Sequence, residues 1–446
     1  MKLKIFGIFI CFLIITSAYS VTGNVYQISN DDSQNISSNL LDGGWLEERD
    51  GVKILHVSGS HYEMGYQHGY LLKEECLENM RAFLEYMLRK FSYDQLEEIW
   101  NTMKNYIPTQ YIEELHGFAD GSGVPFENIS IAYAATECIA FMGCFGIAAW
   151  DNATVDGKLY HARSWDLPFD IRDPVSGKCA HENSVLIIRK PESGFASLCP
   201  SVAGVPNGAG GINEKGIGIG AQVCWSNDQR FNGPPILIRV QWLLDYADTI
   251  EQALNILTTN RTLGWNFIVS DCKVPVGYAV EISANHSYIG TWDDPAEAKK
   301  PFWSIRNVVR RTNFYINPTL TATQRKYYNP RGIVGILSTL FKGDPYFIVW
   351  NNYRAMSNEI EKNLGQLDVN STISMVQRVY RGETDFILNF IKNLLASGSS
   401  FLKAWNQWAA CAENGDMVVS FATSNLNACE NKMHYFNLFD LLNPNP

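Results

Sequence analysis

The chain has 446 residues with a formal net charge of −10, and 46% of its residues are hydrophobic. This length and apolar content allow a large buried core, and the acidic balance argues against a nucleic-acid partner. Length alone would allow two domains, but no Pro/Ser/Gly-rich linker and no internal repeat divides the sequence. We therefore expect one composite domain.

The first twenty residues have the pattern of a secretion signal. Lys2 and Lys4 precede an apolar run from Ile5 to Thr16, and Ala18-Tyr19-Ser20 fits a small-x-small cleavage site. The apolar run is too short for a membrane span. We expect a signal peptide over residues 1–20 and a mature chain in the secreted or lysosomal lumen.

Triplets of the form N-x-Ser/Thr agree with that compartment, because they accept N-linked glycans in secreted proteins. The triplets without a central proline begin at Asn35, Asn128, Asn152, Asn260, Asn285 and Asn370. Such triplets also occur by chance, so the sequence does not say which of them are used.

The N-terminal part is predicted to be mainly helical. Residues 21–50 are polar and rich in Asn and Ser, which predicts a loose leader, and helices follow over residues 51–143. Apolar residues recur at helical spacing in Glu74–Phe91. Ser92-Tyr-Asp-Gln95 then has the pattern of a capping box for a second helix, which Pro108 must end.

From Cys144 the pattern changes to short strands with helices between them. The strand-like runs are Cys144–Trp150, Lys158–Arg163, Ser184–Ile188, Gly216–Cys224, Trp265–Ser270 and Val276–Ile282. Helices are predicted over Ile236–Tyr246 and Thr249–Leu257. Asn414-Gly415, between strand-like runs at 405–412 and 417–423, predicts a tight hairpin. This mixture predicts an α+β fold built on antiparallel sheets.

The cysteine count suggests one free thiol. Ten cysteines are present, and removing Cys11 of the signal leaves nine, an odd number for a secreted protein. Parity does not identify the free one, but we expect it to be Cys144, with up to four disulfides among the rest. Cys411 and Cys429 are the expected bridge, because the Asn414-Gly415 hairpin could return the later strand toward the earlier.

We expect neither a metal ion nor a cofactor. The sequence has no CxxC motif, no cysteine and histidine cluster with zinc spacing and no phosphate-binding glycine loop. The spacing of His56, His61 and His68 does not suit a metal pair, so we interpret them as hydrogen-bonded surface or core histidines.

The Gly143-Cys144 junction lies where the helical pattern gives way to strands. If the chain is cut before Cys144, that residue gains a free α-amine beside its thiol, a nucleophile and a base suited to amide chemistry. Gly143 has no side chain, so it would allow the scissile bond to adopt a strained turn.

The strands on either side of Ala153-Thr154 are predicted to form one hairpin. Folded symmetrically, the hairpin pairs Cys144 with Arg163 on one face and leaves Asp166 just past the strand end. A guanidinium favours the thiolate, and a carboxylate can orient the α-ammonium. Without further evidence, a buried strand cysteine beside a structural ion pair would explain these residues more simply.

Two stretches of the hairpin resemble the start of the catalytic chain in cysteine N-terminal-nucleophile hydrolases. They are Gly143-Cys-Phe-Gly-Ile-Ala-Ala-Trp150 and Asp156-Gly-Lys-Leu-Tyr-His-Ala-Arg-Ser-Trp-Asp166. This superfamily includes penicillin acyltransferases, choloylglycine hydrolases, acid ceramidases and N-acylethanolamine acid amidases. Looser likenesses lie at residues 59–69, 211–218 and 265–271, and residues 420–439 are similar to acid-ceramidase-like and phospholipase-B-like proteins.

The resemblance implies a four-layer αββα sandwich and self-cleavage between Gly143 and Cys144. The fragments, residues 21–143 and 144–446, would remain associated. The implied activity is hydrolysis of linear amide bonds in N-acyl compounds through a thioester, as in acid ceramidases. The alternatives are acyl transfer, phospholipase-B-like deacylation, and an unprocessed lipid-binding or scaffold protein.

The resemblance also implies roles for single residues. Cys144 would be the nucleophile, Arg163 and Asp166 its electrostatic partners, and Asn266 the oxyanion donor. Two positions depart from the family pattern. Val223 stands where choloylglycine hydrolases place a polar side chain, so that role is lost or passes to Gln222. A later arginine is also expected, and the sequence leaves three candidates open, namely Arg310, Arg311 and Arg325.

Overall fold

A computed structural model describes residues 39–138, 143–324, 337, 341, 346–383 and 402–443. The chain from Leu40 onward forms one compact unit. The predicted signal peptide, Asn35 and Arg325 lie outside the described residues. In the part of the chain that is described, none of the helices combines the length and apolar character needed to cross a bilayer.

The N-terminal part is mainly helical, but a strand pair precedes the helices. Strands β1 (Trp45–Arg49) and β2 (Val52–Gly59) form a hairpin, so the end of the predicted loose leader is a strand. The helices that follow are α1 (His61–Leu71), α2 (Lys73–Leu88), α3 (Tyr93–Met103), α4 (Thr109–Ser122) and α5 (Phe126–Ala135). The predicted capping box of Ser92 and Gln95 is confirmed at the start of α3.

Helices α1 and α4 cross closely because each presents a glycine at the contact. A Cβ atom at Gly65 would lie 2.0 Å from the carbonyl oxygen of Glu114, and one at Gly117 would lie 2.0 Å from that of Tyr62. Only glycine permits this approach. The crossing fixes the position of Glu114, whose side chain reaches the sheet beneath.

The remaining chain alternates strands and helices, as predicted. The elements up to residue 258 are β3 (Gly143–Asp151), β4 (Gly157–Pro168), β5 (Ser184–Pro191), β6 (Ser197–Val202), β7 (Gly210–Asn213), β8 (Ile217–Val223), α6 (Ile236–Tyr246) and α7 (Ile250–Thr258). The later elements are β9 (Trp265–Asp271), β10 (Val276–Ile282), β11 (Ser287–Gly290), β12 (Val308–Arg311), α8 (Pro318–Thr321), α9 (Tyr346–Lys362), α10 (Val369–Arg381), β13 (Leu402–Cys411), β14 (Asp416–Phe421), β15 (His434–Asn437) and α11 (Leu438–Leu442).

Within the described residues the strands form two sheets. One has the order β1-β2-β5-β6-β7-β8-β9-β10-β11, in which β2 and β5 are parallel and the other neighbours antiparallel. The other sheet is antiparallel, with the order β12-β3-β4-β13-β14-β15. The two sheets pack face to face where β3 contacts β8, β9 and β10.

Helices cover the outer face of each sheet. Helices α1, α6 and α7 pack on the first sheet, and α9 and α10 pack on the second. Side chains of β3 alternate between the two cores that result, as period-two strands require. Ala148 faces the core between the sheets, whereas Ile147 and Ala149 face the core under α9 and α10. The α+β prediction and the four-layer αββα sandwich are confirmed.

The predicted bridge between Cys411 and Cys429 is wrong for this fold. All nine cysteines of the described residues are thiols. The hairpin forms as predicted, but Cys411 pairs with Asp416 at the turn, whereas Cys429 follows the far end of β14, where Phe421 pairs with Asn406. Strands rise about 3.4 Å per residue, so on the order of 15 Å separates the two ends. A disulfide needs Cα atoms within about 7 Å.

Candidate active site

Cys144 lies near the start of β3 and pairs with Trp165 of β4 rather than with Arg163. The predicted register was wrong because an irregularity near the turn makes Asp151 the partner of Gly157 and shifts the pairing along the strands. A shift of two positions leaves each side chain on its original face, since side chains alternate. Arg163 therefore still lies on the face of Cys144.

Arg163 is fixed by main-chain carbonyls and reaches the thiol. Its Nη2 atom lies 3.5 Å from the Sγ atom of Cys144. Nε and Nη2 donate to the carbonyl of Ala221 at 3.0 and 2.7 Å, and Nη1 donates to that of Gly208 at 2.5 Å. The side chain is fully buried. A cation is thus held beside the sulfur by the neighbouring sheet.

The Cys144 side chain is a buried thiol in the continuous chain. Burial raises the pKa of Cys144 to about 11, although the charge of Arg163 opposes this rise. The carboxylate of Asp166 also raises the pKa, whereas a hydrogen bond from the backbone of Asp166 lowers it. Because the residue is only 2% exposed, a substrate from solvent cannot meet the sulfur until the site opens.

Asp166 lies inside β4, directly opposite Gly143, and not past the strand end as predicted. Its Oδ1 atom accepts a hydrogen bond from the Ser164 hydroxyl at 2.5 Å, and Ser164 accepts one from Gln407 at 2.9 Å. Gly143 is itself a strand residue, so the strained turn predicted there is not found. Because Asp166 follows Trp165, the partner of Cys144, its carboxylate starts on the sheet face opposite the thiol.

Asn313 holds the backbone nitrogen of Cys144 and was not predicted from the sequence. Its Oδ1 atom accepts from that nitrogen at 2.8 Å, and its Nδ2 atom donates to the carbonyl of Val223 at 2.9 Å. A cut before Cys144 would turn this nitrogen into the α-amine. The available signal was position: Asn313 follows the end of β12 at Arg311.

Asn266 acts on the segment that carries Asn313. Its Nδ2 atom donates to the carbonyls of Thr312 and Phe314 at 2.9 and 2.7 Å. Both amide hydrogens of Asn266 are therefore donated to carbonyls, one on each side of Asn313. The predicted oxyanion role of Asn266 does not fit the continuous chain, because no amide hydrogen is left to donate. The geometry makes it a positioning residue for Asn313.

Gln222 places a side-chain amide against the strand of Cys144. Its Nε2 atom would lie 2.8 Å from a Cβ atom at Gly146, and it donates to the carbonyl of Gly220 at 3.1 Å. Val223 supplies only its backbone carbonyl, which accepts from Asn313. A polar role for Gln222 in place of Val223 stays a prediction.

The candidate arginines that the structure describes are engaged elsewhere. Arg310 lies over the ring of Tyr353, 4.8 Å from its centroid, and donates to the Ser357 hydroxyl at 2.5 Å. Arg311 pairs with Glu281 at 2.8 Å and with Glu297. Neither is hydrogen-bonded to Cys144 in the described part of the chain.

The histidines near the start of the chain have structural partners, as interpreted. His56 lies 2.9 Å from a carboxylate oxygen of Glu47, His61 lies 2.7 Å from one of Glu114, and His68 accepts from the backbone nitrogen of Gly204 at 3.0 Å. Burial lowers the pKa of His68 to about 4.

An apolar cavity of about 70 Å³ lies beside the strand partner of Cys144. Its lining residues come from α2, α5, β4, the 204–209 segment and α6, and are Met80, Phe83, Met87, Ala132, Tyr133, Ala135, Thr136, Trp165, Leu167, Gly204, Val205, Ala209, Ile236 and Leu237. A larger cavity of about 490 Å³ lies near Glu137 and Phe231 but includes neither Cys144 nor Trp165. The apolar cavity reaches the strand pair of Cys144 through Trp165, and Cys144 itself is not among its lining residues.

A match to a protein-family model supports the family resemblance that the sequence suggested. Residues 157–331 match the model of acyl-coenzyme A:6-aminopenicillanic acid acyl-transferase. The resemblance to the N-terminal-nucleophile hydrolases is confirmed. The matched segment contains Arg163, Asp166, Gln222, Asn266 and Asn313, the residues that surround Cys144 or position its neighbours.

Three curated proteins are similar to the chain in sequence. An uncharacterized protein of Archaeoglobus fulgidus is 26% identical over 61% of this chain and 52% of its own length. Protein dcd1B of Dictyostelium discoideum is 24% identical over 55% of this chain and 50% of its own, and dcd1A over 74% and 75%. The chain thus spans about half the length of the first two.

An acid amidase and a bile acid hydrolase are among the similar solved structures. The Caenorhabditis elegans N-acylethanolamine-hydrolyzing acid amidase ortholog has 14% identity and a TM-score of 0.37, and the match covers 60% of this chain and 93% of that one. A mutant conjugated bile acid hydrolase of Clostridium perfringens has 14% identity and a TM-score of 0.33, covering 66% and 96%. At these values neither structure supports a conclusion about activity.

Proposed function

We propose that this protein is a self-processing cysteine amidohydrolase that cleaves N-acyl compounds with an apolar acyl group. Two contacts of Cys144 support this proposal most directly. Arg163 contacts its sulfur, and Asn313 accepts a hydrogen bond from its backbone nitrogen. One group favours the thiolate, and the other orients the atom that becomes the α-amine.

Processing begins within the continuous chain. The sulfur of Cys144 attacks the carbonyl carbon of Gly143, the carbon–nitrogen bond breaks, and the thiol proton ends on the new α-amine. Water then hydrolyses the thioester, which releases the Gly143 carboxylate and restores the thiol. The products are fragments 21–143 and 144–446, and buried contacts such as those of Glu114 with Arg189 would keep them together.

Turnover repeats the same chemistry on a substrate amide. The α-amine of Cys144 takes the thiol proton, the thiolate attacks the acyl carbon, and the amine product leaves with that proton. Water resolves the acyl thioester to the free acid. Asn313 holds the α-amine and Arg163 stabilises the thiolate, while Asp166, opposite Gly143 on β4, adds negative charge near Cys144.

The apolar cavity supports the choice of acyl group. Its wall includes Trp165, the strand partner of Cys144, and nearly all the other lining side chains are hydrocarbon or aromatic. Burying an acyl chain there gains about 0.8 kcal/mol for each methylene removed from water.

The secreted or lysosomal lumen is the compartment that fits this proposal. The glycosylation triplets in the described residues begin at exposed positions with one half-buried exception, Asn128, and the exposed ones are Asn152, Asn260, Asn285 and Asn370. Their accessibility is compatible with glycan attachment, and mass spectrometry of the secreted protein would show which of them carry glycans.

The test is an activity screen with N-acyl amides of short, medium and long saturated acyl chains. We expect the longer chains to give the higher kcat/KM, and we expect Cys144→Ala to be inactive. Ala132→Leu would narrow the cavity and should shift preference toward shorter chains. The matched Ala119→Leu, on α4 outside the cavity, should not. Equal rates for every chain length would contradict the acyl-pocket assignment.

Acyl transfer is a second candidate, since the matching family model describes an acyl-transferase. The same thioester would then be resolved by an amine or alcohol instead of water. Adding a nucleophilic amine to the screen separates the two outcomes: a transferase yields the new amide at the expense of free acid. A chain that stays uncut and releases no acid would instead indicate a lipid-binding or scaffold protein.

A further inference from the structure

A second group of metal-ligating side chains lies away from Cys144, between β4 and β5. Cys179, His181 and Glu182 place one ligand atom each within 4.8 Å of one another. Cys179 precedes a short 3-10 helix over Ala180–Asn183, so one turn of chain carries all three. The first two are buried and Glu182 is half-buried.

His181 presents a nitrogen lone pair that has no use in the fold. Its Nε2 atom lies 3.1 Å from the carbonyl of Thr423, which can only accept, so Nε2 carries the proton. Its Nδ1 atom is buried and has no hydrogen-bond partner in the part of the chain that is described. A neutral imidazole whose other nitrogen donates to a carbonyl is the form that binds metals.

The other two side chains also retain free ligand capacity. Glu182 uses Oε1 to accept from the backbone nitrogen of Cys179 at 2.9 Å, which leaves Oε2. The Cys179 thiol donates to the carbonyl of Phe169 at 3.2 Å, and its sulfur accepts from the backbone nitrogen of Glu182, which leaves one of its two lone pairs. Asp170, whose Oδ1 atom is buried without a partner in the described residues, adds negative charge near Cys179.

We propose that Cys179, His181 and Glu182 bind a divalent transition-metal ion of the zinc type. Sulfur, imidazole nitrogen and carboxylate oxygen together suit tetrahedral Zn²⁺, with water in the fourth position, and do not suit Ca²⁺ or Mg²⁺. Binding releases the Cys179 proton to solvent, so acid weakens it. The ligand atoms must approach by roughly 1 Å to reach zinc distances. The nearby cation of Arg172 favours the thiolate but opposes the metal charge.

The bound ion would fix the first member of a row of ring contacts that leads toward the candidate active site. His181 stacks on Phe169 at 3.9 Å and lies 5.7 Å from Trp405, which lies 5.6 Å from Trp165. Trp165 is the strand partner of Cys144. The sequence prediction of no metal rested on familiar zinc spacings, and Cys-Ala-His-Glu is not one of them. Metal binding at Cys179, His181 and Glu182 does not require the proposed enzyme activity.

The test is titration of the purified full chain with Co²⁺, whose thiolate complexes absorb in the near ultraviolet. We expect one equivalent of Co²⁺ to produce a thiolate-to-metal charge-transfer band that Zn²⁺ abolishes by displacement. Cys179→Ser should remove the band. Glu182→Gln should weaken binding by at least about 10-fold while the band keeps its position. Absence of the band in the wild-type chain would overturn the proposal.

Two control variants separate this site from the other thiols. Cys199→Ser removes a buried cysteine outside the group, and Cys144→Ala removes the candidate nucleophile; both should keep the band. If either loses the band while Cys179→Ser retains it, the metal binds elsewhere and the proposal is wrong. If Cys179→Ser does not fold, as judged by circular dichroism, Glu182→Gln decides: unchanged Co²⁺ affinity would overturn the assignment.

Discussion

Two buried arginines of this protein have opposite surroundings. Arg189 on β5 makes paired hydrogen bonds to Glu114 at 2.7 and 2.9 Å and lies 3.7 Å from Asp245. Arg163 on β4 instead donates to the carbonyls of Ala221 and Gly208 and contacts a thiol. Both side chains are excluded from solvent, so the difference lies in the chemistry of their partners.

The partners determine what each cation can do. Burial lowers the pKa of Arg189, but Glu114 and Asp245 outweigh burial and raise it above its ordinary value. Burial lowers the pKa of Arg163, and Cys144 and Asp166 offset this only in part. The charge of Arg189 is thus neutralised in place, whereas the charge of Arg163 remains available for a thiolate that forms during a reaction.

Removing the thiol should have the largest effect. We expect Cys144→Ala to leave a single uncut chain with no measurable turnover, because the sulfur forms the covalent bond in both reactions. Gel electrophoresis and intact mass give the first result, and the N-acyl amide assay gives the second. N-terminal sequencing of the larger wild-type fragment should begin Cys-Phe-Gly-Ile; any other start would exclude Gly143-Cys144 as the cleavage site.

Matched arginine substitutions test the comparison directly. We expect Arg163→Gln to lower kcat by about 10²-fold or more, because the developing thiolate loses its cation. Arg189→Gln should leave Glu114 and Asp245 buried without the arginine that pairs with both, and should reduce the free energy of unfolding by about 3–5 kcal/mol. The melting temperature is measured for both variants. The kcat of each is then measured at a temperature at which both remain folded. If the activity of Arg163→Gln falls only as far as its stability predicts, Arg163 is structural.

Substitutions of Asn313 and Asn266 should separate a direct effect on the Cys144 nitrogen from an indirect effect on its surroundings. Asn313→Ala removes the contact with the Cys144 nitrogen and should slow processing by ~10²–10³-fold, the range for one lost catalytic donor or acceptor. Asn266→Ala leaves the carbonyls of Thr312 and Phe314 unpaired and should cost about 1–3 kcal/mol of stability with a smaller loss of rate. Processing half-times and melting temperatures are compared. A larger rate loss for Asn266→Ala would restore its predicted oxyanion role.

The sequence predicted the elements better than the contacts between them. The boundaries of α6 and the hairpin at Asn414-Gly415 were predictable because periodicity and turn chemistry are local. The pairing of Cys144 was not, because an irregularity at Asp151 near the turn changes the register of the strands. The two-residue period of strands still placed Arg163 correctly.

Partners distant in sequence were the least predictable. Asn313 meets Cys144 only because β12 pairs with β3, and no local pattern encodes that pairing. The predicted Cys411–Cys429 bridge was wrong for a similar reason. A hairpin turn brings together the strand ends beside the turn, whereas Cys429 follows the end of β14 that is far from it. Such contacts depend on the assembled sheets, where tertiary packing decides which polar groups meet.

Acid should weaken the ion pair of Arg189 with Glu114 and lower the melting temperature, the smallest of the expected effects. Burial acts to raise the pKa of Glu114, but Arg189 and His61 outweigh it and lower the pKa from 4.5 to about 2. A carboxylate with a lowered pKa stabilises the fold fully above pH 4.5, and this contribution is lost as the pH falls toward 2. We expect the melting temperature of the uncut Cys144→Ala chain to fall across that window. Adding Glu114→Gln should flatten the fall, whereas adding Arg163→Gln should change it less, because Arg163 donates its hydrogen bonds to main-chain carbonyls, which do not titrate. An equal slope with and without Glu114 would show that the acid response arises elsewhere.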